Sequence, residues 1–106
     1  LSASPSRSPA ATETVQVSDA MRALFITTLR EDMQQLRLAL EQGDQRRLGE
    51  RLHSIAGALG AVQSRPLAEQ CCALETALAE SPLDAALADK LGGVLDRLSA
   101  ILDALA

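Results

Sequence analysis

The stretch from Asp44 to Val62 reads DQRRLGERLHSIAGALGAV. Leu48, Leu52, Ile55, Leu59 and Val62 recur in steps of four and three, which is the repeat of one face of an α-helix and not the alternation of a strand. Asp44 supplies a side-chain oxygen of the kind that caps a helix start. With that apolar seam turned inward, the outward positions follow. His53 stands one residue after Leu52, rotated by about 100° from the seam, so it is expected at the flank of the core within reach of solvent. Gly49, Gly57 and Gly60 lie four before, four after and seven after it on the same face, with Ala56 beside them. Three glycines in one helix cost on the order of 2–3 kcal/mol in propensity, and core packing does not obviously require them. Close approach of another surface is the simplest reason for smallness there.

The same period continues on both sides of this stretch. Upstream, Ser18 or Asp19 can cap a helix carrying Phe25, Leu29, Met33, Leu36 and Leu40, and Gly43 suits its left-handed end. Downstream, Ser64 and Pro66 open a helix through Leu67, Cys71, Leu74 and Leu78, since proline is tolerated in a first turn. Ser81, Pro82 and Asp84 open a fourth helix, with Leu87, Leu91, Val94, Leu98, Ile101 and Leu105 on its inner face. Gly92 and Gly93 interrupt it, so a kink or a close helix crossing is expected there. Four amphipathic helices with short connections bury their seams most simply as an all-α, antiparallel up-down-up-down four-helix bundle.

Composition agrees with that class. The 106 residues are 47% hydrophobic and 1% aromatic, with Phe25 the only ring, so residues that favour strands are scarce. Residues 1–17 are rich in Ser, Pro, Ala and Thr without an apolar period and read as a flexible linker or tail, leaving 18–106 for the bundle. The start at Leu1 suggests a piece of a longer or processed chain. The net charge of −4 is mild and forms no basic stripe, so nucleic acid is not an expected partner. No apolar run approaches the roughly 20 residues that span a bilayer, so no direct membrane contact is expected either. The adjacent Cys71 and Cys72 diverge on a helix, where a mutual disulfide is awkward; reduced thiols are expected, with Cys71 as a small core residue.

His53 is the only histidine. A neutral imidazole with one nitrogen held by a hydrogen bond and the other free is a capable nucleophile and can carry a phosphoryl group. The chain has no Gly-rich loop with lysine, and its single lysine, Lys90, lies on the fourth helix, so groups that mobilise nucleotide phosphate must come from elsewhere. Glu50, three residues before His53, could orient the ring but reads better as a solvated carboxylate. Glu50 to His53 also has the Glu-x-x-His spacing of di-iron bundles, which need a second copy; none exists, and no metal site is expected. The alternative to a carrier is a non-catalytic helical interaction domain in which His53 is incidental.

The segment His53-Ser54-Ile55-Ala56-Gly57-Ala58-Leu59-Gly60-Ala61-Val62 resembles the phosphoacceptor motif of histidine-containing phosphotransfer (HPt) domains, commonly found at the C-terminal end of hybrid sensor kinases. That family's pattern is His, two residues, Lys, Gly, and a second Gly three residues on. His53, Gly57 and Gly60 match it, Ile55 fills the apolar place, and the Phe25–Leu40 and Leu67–Leu78 helices, with Cys71 and Glu75, resemble the flanks. The resemblance runs from about Ser18 to Leu105. Ala56 replaces the family lysine that helps hold the phosphate. Arg46, on the face of His53 but about 10 Å along the axis, and Arg51 are the candidates to support the phosphate instead, with Arg65 a weaker one.

The resemblance implies a bacterial two-component phosphorelay carrier that accepts a phosphoryl group on His53 from a receiver-domain aspartate and passes it to another. It implies docking over Gly49, Ala56, Gly57 and Gly60, and response-regulator receiver domains as partners. It further implies no kinase activity in this domain, no cofactor of its own, and Mg²⁺ supplied by the receiver. The isolated domain is expected to be monomeric and cytoplasmic, or to belong to the cytoplasmic part of a membrane-bound sensor kinase.

Overall fold

The structure, a computed structural model, describes residues 18–62 and 64–105. The expected linker over 1–17 lies outside the described residues. Four helices follow in order: α1 (Asp19–Gln42), α2 (Gln45–Ala61), α3 (Arg65–Glu80) and α4 (Ala85–Leu105).

Local chemistry sets these boundaries. Gly43 has φ 66°, the left-handed conformation that closes a helix, and is the described glycine that uses its conformational freedom in this way. The Gly43 N–H donates to Leu40 O at 3.2 Å and the Asp44 N–H to Ala39 O at 2.9 Å, satisfying the last carbonyls of α1. Asp44 Oδ1 then accepts from the Arg47 N–H at 3.1 Å, so the residue that completes one helix end caps the next start. Asp84 does the same for α4, accepting from the Leu87 N–H at 2.8 Å. At α1 the cap is Ser18, whose hydroxyl makes no capping bond. Pro66 stands in the first turn of α3, where its missing N–H costs nothing.

The inward seam read from sequence is the core, apart from Leu40 and Leu105, which are half-buried at its edge. Leu48, Leu52, Ile55 and Leu59 are fully buried, together with Leu29, Leu36, Leu67, Cys71, Leu91, Val94 and Leu98. The helices pack in a closed ring, α1 on α2, α2 on α3, α3 on α4 and α4 on α1. Contacts pair starts with ends. Gln45, at the start of α2, donates to Leu78 O at 2.6 Å and to Ser81 O, at the end of α3. Arg22, in the first turn of α1, donates to Leu105 O at 3.3 Å, at the end of α4. Neighbouring helices are therefore antiparallel, as expected of an up-down-up-down bundle.

One expectation needs correction. α4 continues as a helix through Gly92 and Gly93, and a Cβ built on either would meet nothing within 4 Å, so no close crossing occurs there. Both thiols are free, Cys71 buried and Cys72 exposed. Among the described residues, no helix is long and apolar enough to cross a membrane.

Candidate functional site

α2 packs between α1 and α3, and the rotation fixed by its seam leaves His53 on the outer flank beside α3. The imidazole side chain is 79% accessible. Its Nδ1 lies 3.3 Å from Oε1 of Glu75 on α3. Glu75 reaches it for the same geometric reason. It follows the buried Leu74 by one residue, as His53 follows Leu52, so each stands at the flank of its own seam where the two antiparallel helices meet. A carboxylate only accepts hydrogen bonds, so in the neutral ring this contact favours the tautomer with the proton on Nδ1 and the lone pair on Nε2.

The imidazole borders a groove of about 670 Å³ between α2 and α3, lined by Arg46, Gly49, Glu50 and His53 from α2 and by Glu75 and Leu78 from α3. Gly57 and Gly60 are exposed further along α2. A Cβ added at Gly49, Gly57 or Gly60 would meet nothing within 4 Å. Packing within the chain therefore does not require glycine at any of the three positions.

Ala56 does not share that clearing. Three residues after His53, it is rotated back by about 60° toward the seam and is only 9% exposed, within the core. As a docking residue it is thus misassigned, because a separation of three residues brings a side chain near in height but not to the same azimuth. Arg51 is also misassigned as phosphate support. Standing two residues from His53, it projects to the opposite flank of α2, where Nη1 lies 3.1 Å from Oδ1 of Asp32 on α1. Asp32 is 4% exposed and also accepts from Ser54 Oγ at 2.8 Å, so the three residues tie α1 to α2.

Arg46 does line the groove. Its side chain is 90% accessible, and Nε lies 3.4 Å from Oε2 of Glu50. Glu50 thus pairs with an arginine and not with the imidazole, in line with its reading as a solvated carboxylate. Arg65 borders a different groove with Gly60, Ala68 and Glu69. The reading from sequence missed two features, Glu75 as the partner of the imidazole and the buried Asp32. The position of Glu75 directly after a seam leucine marks it as a flank residue but does not pair it with His53, which needs the register between α2 and α3; a polar residue in register with Phe25, Leu29 and Leu36 was the signal for the second. Among the described residues, no cluster of three or more His, Cys, Asp or Glu side chains is arranged to hold a metal ion.

No curated protein and no solved structure matches the chain. A family model described as the Hpt domain matches residues 20–106, a span that takes in all of α2 to α4, α1 but for its first residue, and His53 with its groove. The match covers well over half of the sequence, and the chain belongs to the Hpt domain family.

Proposed function

We propose that this chain is a phosphorelay carrier that receives a phosphoryl group on His53 from a receiver-domain aspartate and hands it to the aspartate of another receiver. Membership of the Hpt family makes it a histidine phosphotransfer module of two-component signalling, and such modules carry phosphoryl groups without being kinases. The observation that carries the finer reading is the state of the imidazole: 79% accessible, with Nδ1 held 3.3 Å from Glu75. A bystander histidine has no need of an oriented ring.

The chemistry follows from that geometry. With the proton on Nδ1, the Nε2 lone pair attacks the phosphorus of the aspartyl phosphate in line with the departing oxygen. The P–O bond to the receiver breaks, the aspartate leaves as a carboxylate, and the Nε2–P bond forms. Positive charge grows on the ring during attack, and the Glu75 carboxylate stands beside the Nδ1–H that bears it. The reverse sequence returns the group to a second aspartate. Gly49, Gly57 and Gly60 let the receiver approach closely enough for in-line attack. In this reading the Mg²⁺ would be held by the receiver and not by residues of this chain, and would supply charge neutralisation at the phosphoryl oxygens. The capped start of α2 and its buried seam hold the helix that carries His53 against α1 and α3. We further propose a cytoplasmic setting, within a hybrid sensor kinase.

Incubation with a phosphorylated receiver tests the reading. Acid-labile, base-stable label should appear on this chain and be lost in His53→Gln, with the helical circular dichroism unchanged. Label retained in that variant would end it in favour of an interaction domain with an incidental histidine.

A further inference from the structure

The groove beside His53 is lined by one cation, Arg46, and two carboxylates, Glu50 and Glu75. A phosphoryl dianion on the ring therefore enters a neighbourhood whose charges are mostly of its own sign. Arg46 lies seven residues before His53, which on a helix is an azimuth difference of only about 20° and an axial distance of about 10 Å. Two groove-lining residues stand between them, Glu50, which pairs with Arg46, and Gly49, where even a Cβ would meet nothing within 4 Å, so on the Gly49 side no side chain fills the space between guanidinium and ring.

The present partner of Arg46 is easily given up. The Nε to Glu50 Oε2 contact is 3.4 Å, with the two side chains 90% and 52% accessible, the kind of solvated pair that contributes little. A phosphoryl group offers a guanidinium two parallel hydrogen bonds and a higher charge. Of the neighbouring arginines, Arg51 is held 3.1 Å from the buried Asp32, and neither it nor Arg47 lines the groove.

We infer that Arg46 changes partner when His53 is phosphorylated: the guanidinium leaves Glu50, lies across Gly49 and pairs with the phosphoryl oxygens. This rests on the carrier reading and adds to it the group that holds the phosphate in place of a lysine at position 56. Glu50 becomes the competitor that retains Arg46 in the unphosphorylated state, and Gly49 the residue that keeps the crossing open.

Phosphoramidate loading of the full 106-residue chain tests it. In that step the N–P bond of the donor breaks, the Nε2–P bond forms, ammonia leaves, and the ring keeps its Nδ1 proton. Phosphorylation should shift the Nε–Hε NMR resonance of Arg46. In a ³¹P titration, Arg46→Ala should raise the proton affinity of the phosphoryl group about threefold, the scale of one exposed ion pair. Glu50→Gln should lower that affinity, and its effect should shrink in the Arg46→Ala background, because it acts through Arg46. Loaded protein in which the Arg46 resonance stays put, or in which Arg46→Ala leaves the titration unchanged, would overturn the exchange while the carrier reading stands. So would a Glu50→Gln effect of equal size in both backgrounds. Failure of His53 to accept phosphorus from either phosphoramidate or a phosphorylated receiver would remove the exchange and the carrier reading together.

Discussion

Nδ1 of His53 and Oε1 of Glu75 face each other at 3.3 Å across the groove between α2 and α3, so one nitrogen of the imidazole is held by the neighbouring helix. Replacing Glu75 by Ala removes both the orientation and the adjacent charge. Transfer should slow by roughly threefold to tenfold, the equivalent of about 1 kcal/mol for one solvent-accessible contact. Glu75→Gln, which keeps an acceptor but loses the charge, should fall between that variant and the parent. Glu75 is half-buried at the rim of the groove, so thermal unfolding should move by no more than about 0.5 kcal/mol in either case. Rapid-quench transfer from a phosphorylated receiver reads the rate; wild-type speed in Glu75→Ala would show that the contact has no part in the chemistry.

The glycines make an opposed prediction for stability and function. Gly57 and Gly60 are exposed and a Cβ at either meets nothing within 4 Å, so Ala at each should stabilise the bundle by up to about 1 kcal/mol through helix propensity. Docking of a receiver over the same positions should weaken, and more for Gly57→Gln than for Gly57→Ala, since both favour helix but only the longer side chain fills the clearing. Urea unfolding and a receiver titration measure the two effects. Stabilised variants that bind and transfer as the parent does would show that the clearing is not an interface.

The fold was legible because local signals and the apolar period agree. Asp44 and Asp84 are side-chain caps, Gly43 is the left-handed helix end, and all five seam residues of α2 are buried. The exposure of His53 followed from its place beside Leu52. What was not legible depended on relations between helices. A single-helix reading cannot say that Glu75 of α3 meets His53, because that needs the register between two elements. Arg51 was within reach of a correct placement: two residues from His53 means about 200° around the helix, hence the flank toward Asp32. The close crossing expected at Gly92 and Gly93 does not occur because a glycine pair in a helix is a cost, not a contact, and α4 carries that cost without a neighbour to require it.

Asp32 gives a stability prediction. It is 4% exposed and holds both Arg51 and Ser54, so Asp32→Ala leaves their polar groups without a partner between α1 and α2. Chemical denaturation should show a loss of roughly 2–3 kcal/mol, below the full cost of a broken buried pair because Arg51 is partly exposed. Ser54→Ala should cost about 1 kcal/mol. A neutral Asp32→Ala would mean that the cluster does not hold the two helices together.

The cysteines give a pH prediction. Burial, with the Cys72 charge adding to it and Arg97 opposing, pushes the Cys71 thiol from 9.0 up to about 12. The folded state therefore keeps this proton where the unfolded state releases it. The resulting stability is fully present below about pH 9 and is lost as pH rises from there toward 12. Cys71→Ala, whatever it costs in packing, should show a shallower loss of stability over that range. At pH 8, a thiol reagent should modify only the exposed Cys72 in native protein and both thiols after unfolding. Rapid modification of Cys71 in the native state would contradict its placement in the core.

The central claim is that Nε2 of His53 is the atom that carries phosphorus. ¹⁵N and ³¹P NMR of the chain after loading by a phosphorylated receiver measures this directly. The account predicts one phosphorus signal coupled to Nε2 of His53, with the proton retained on Nδ1 beside Glu75. Phosphorus bonded to Nδ1, or to any other residue, would contradict it.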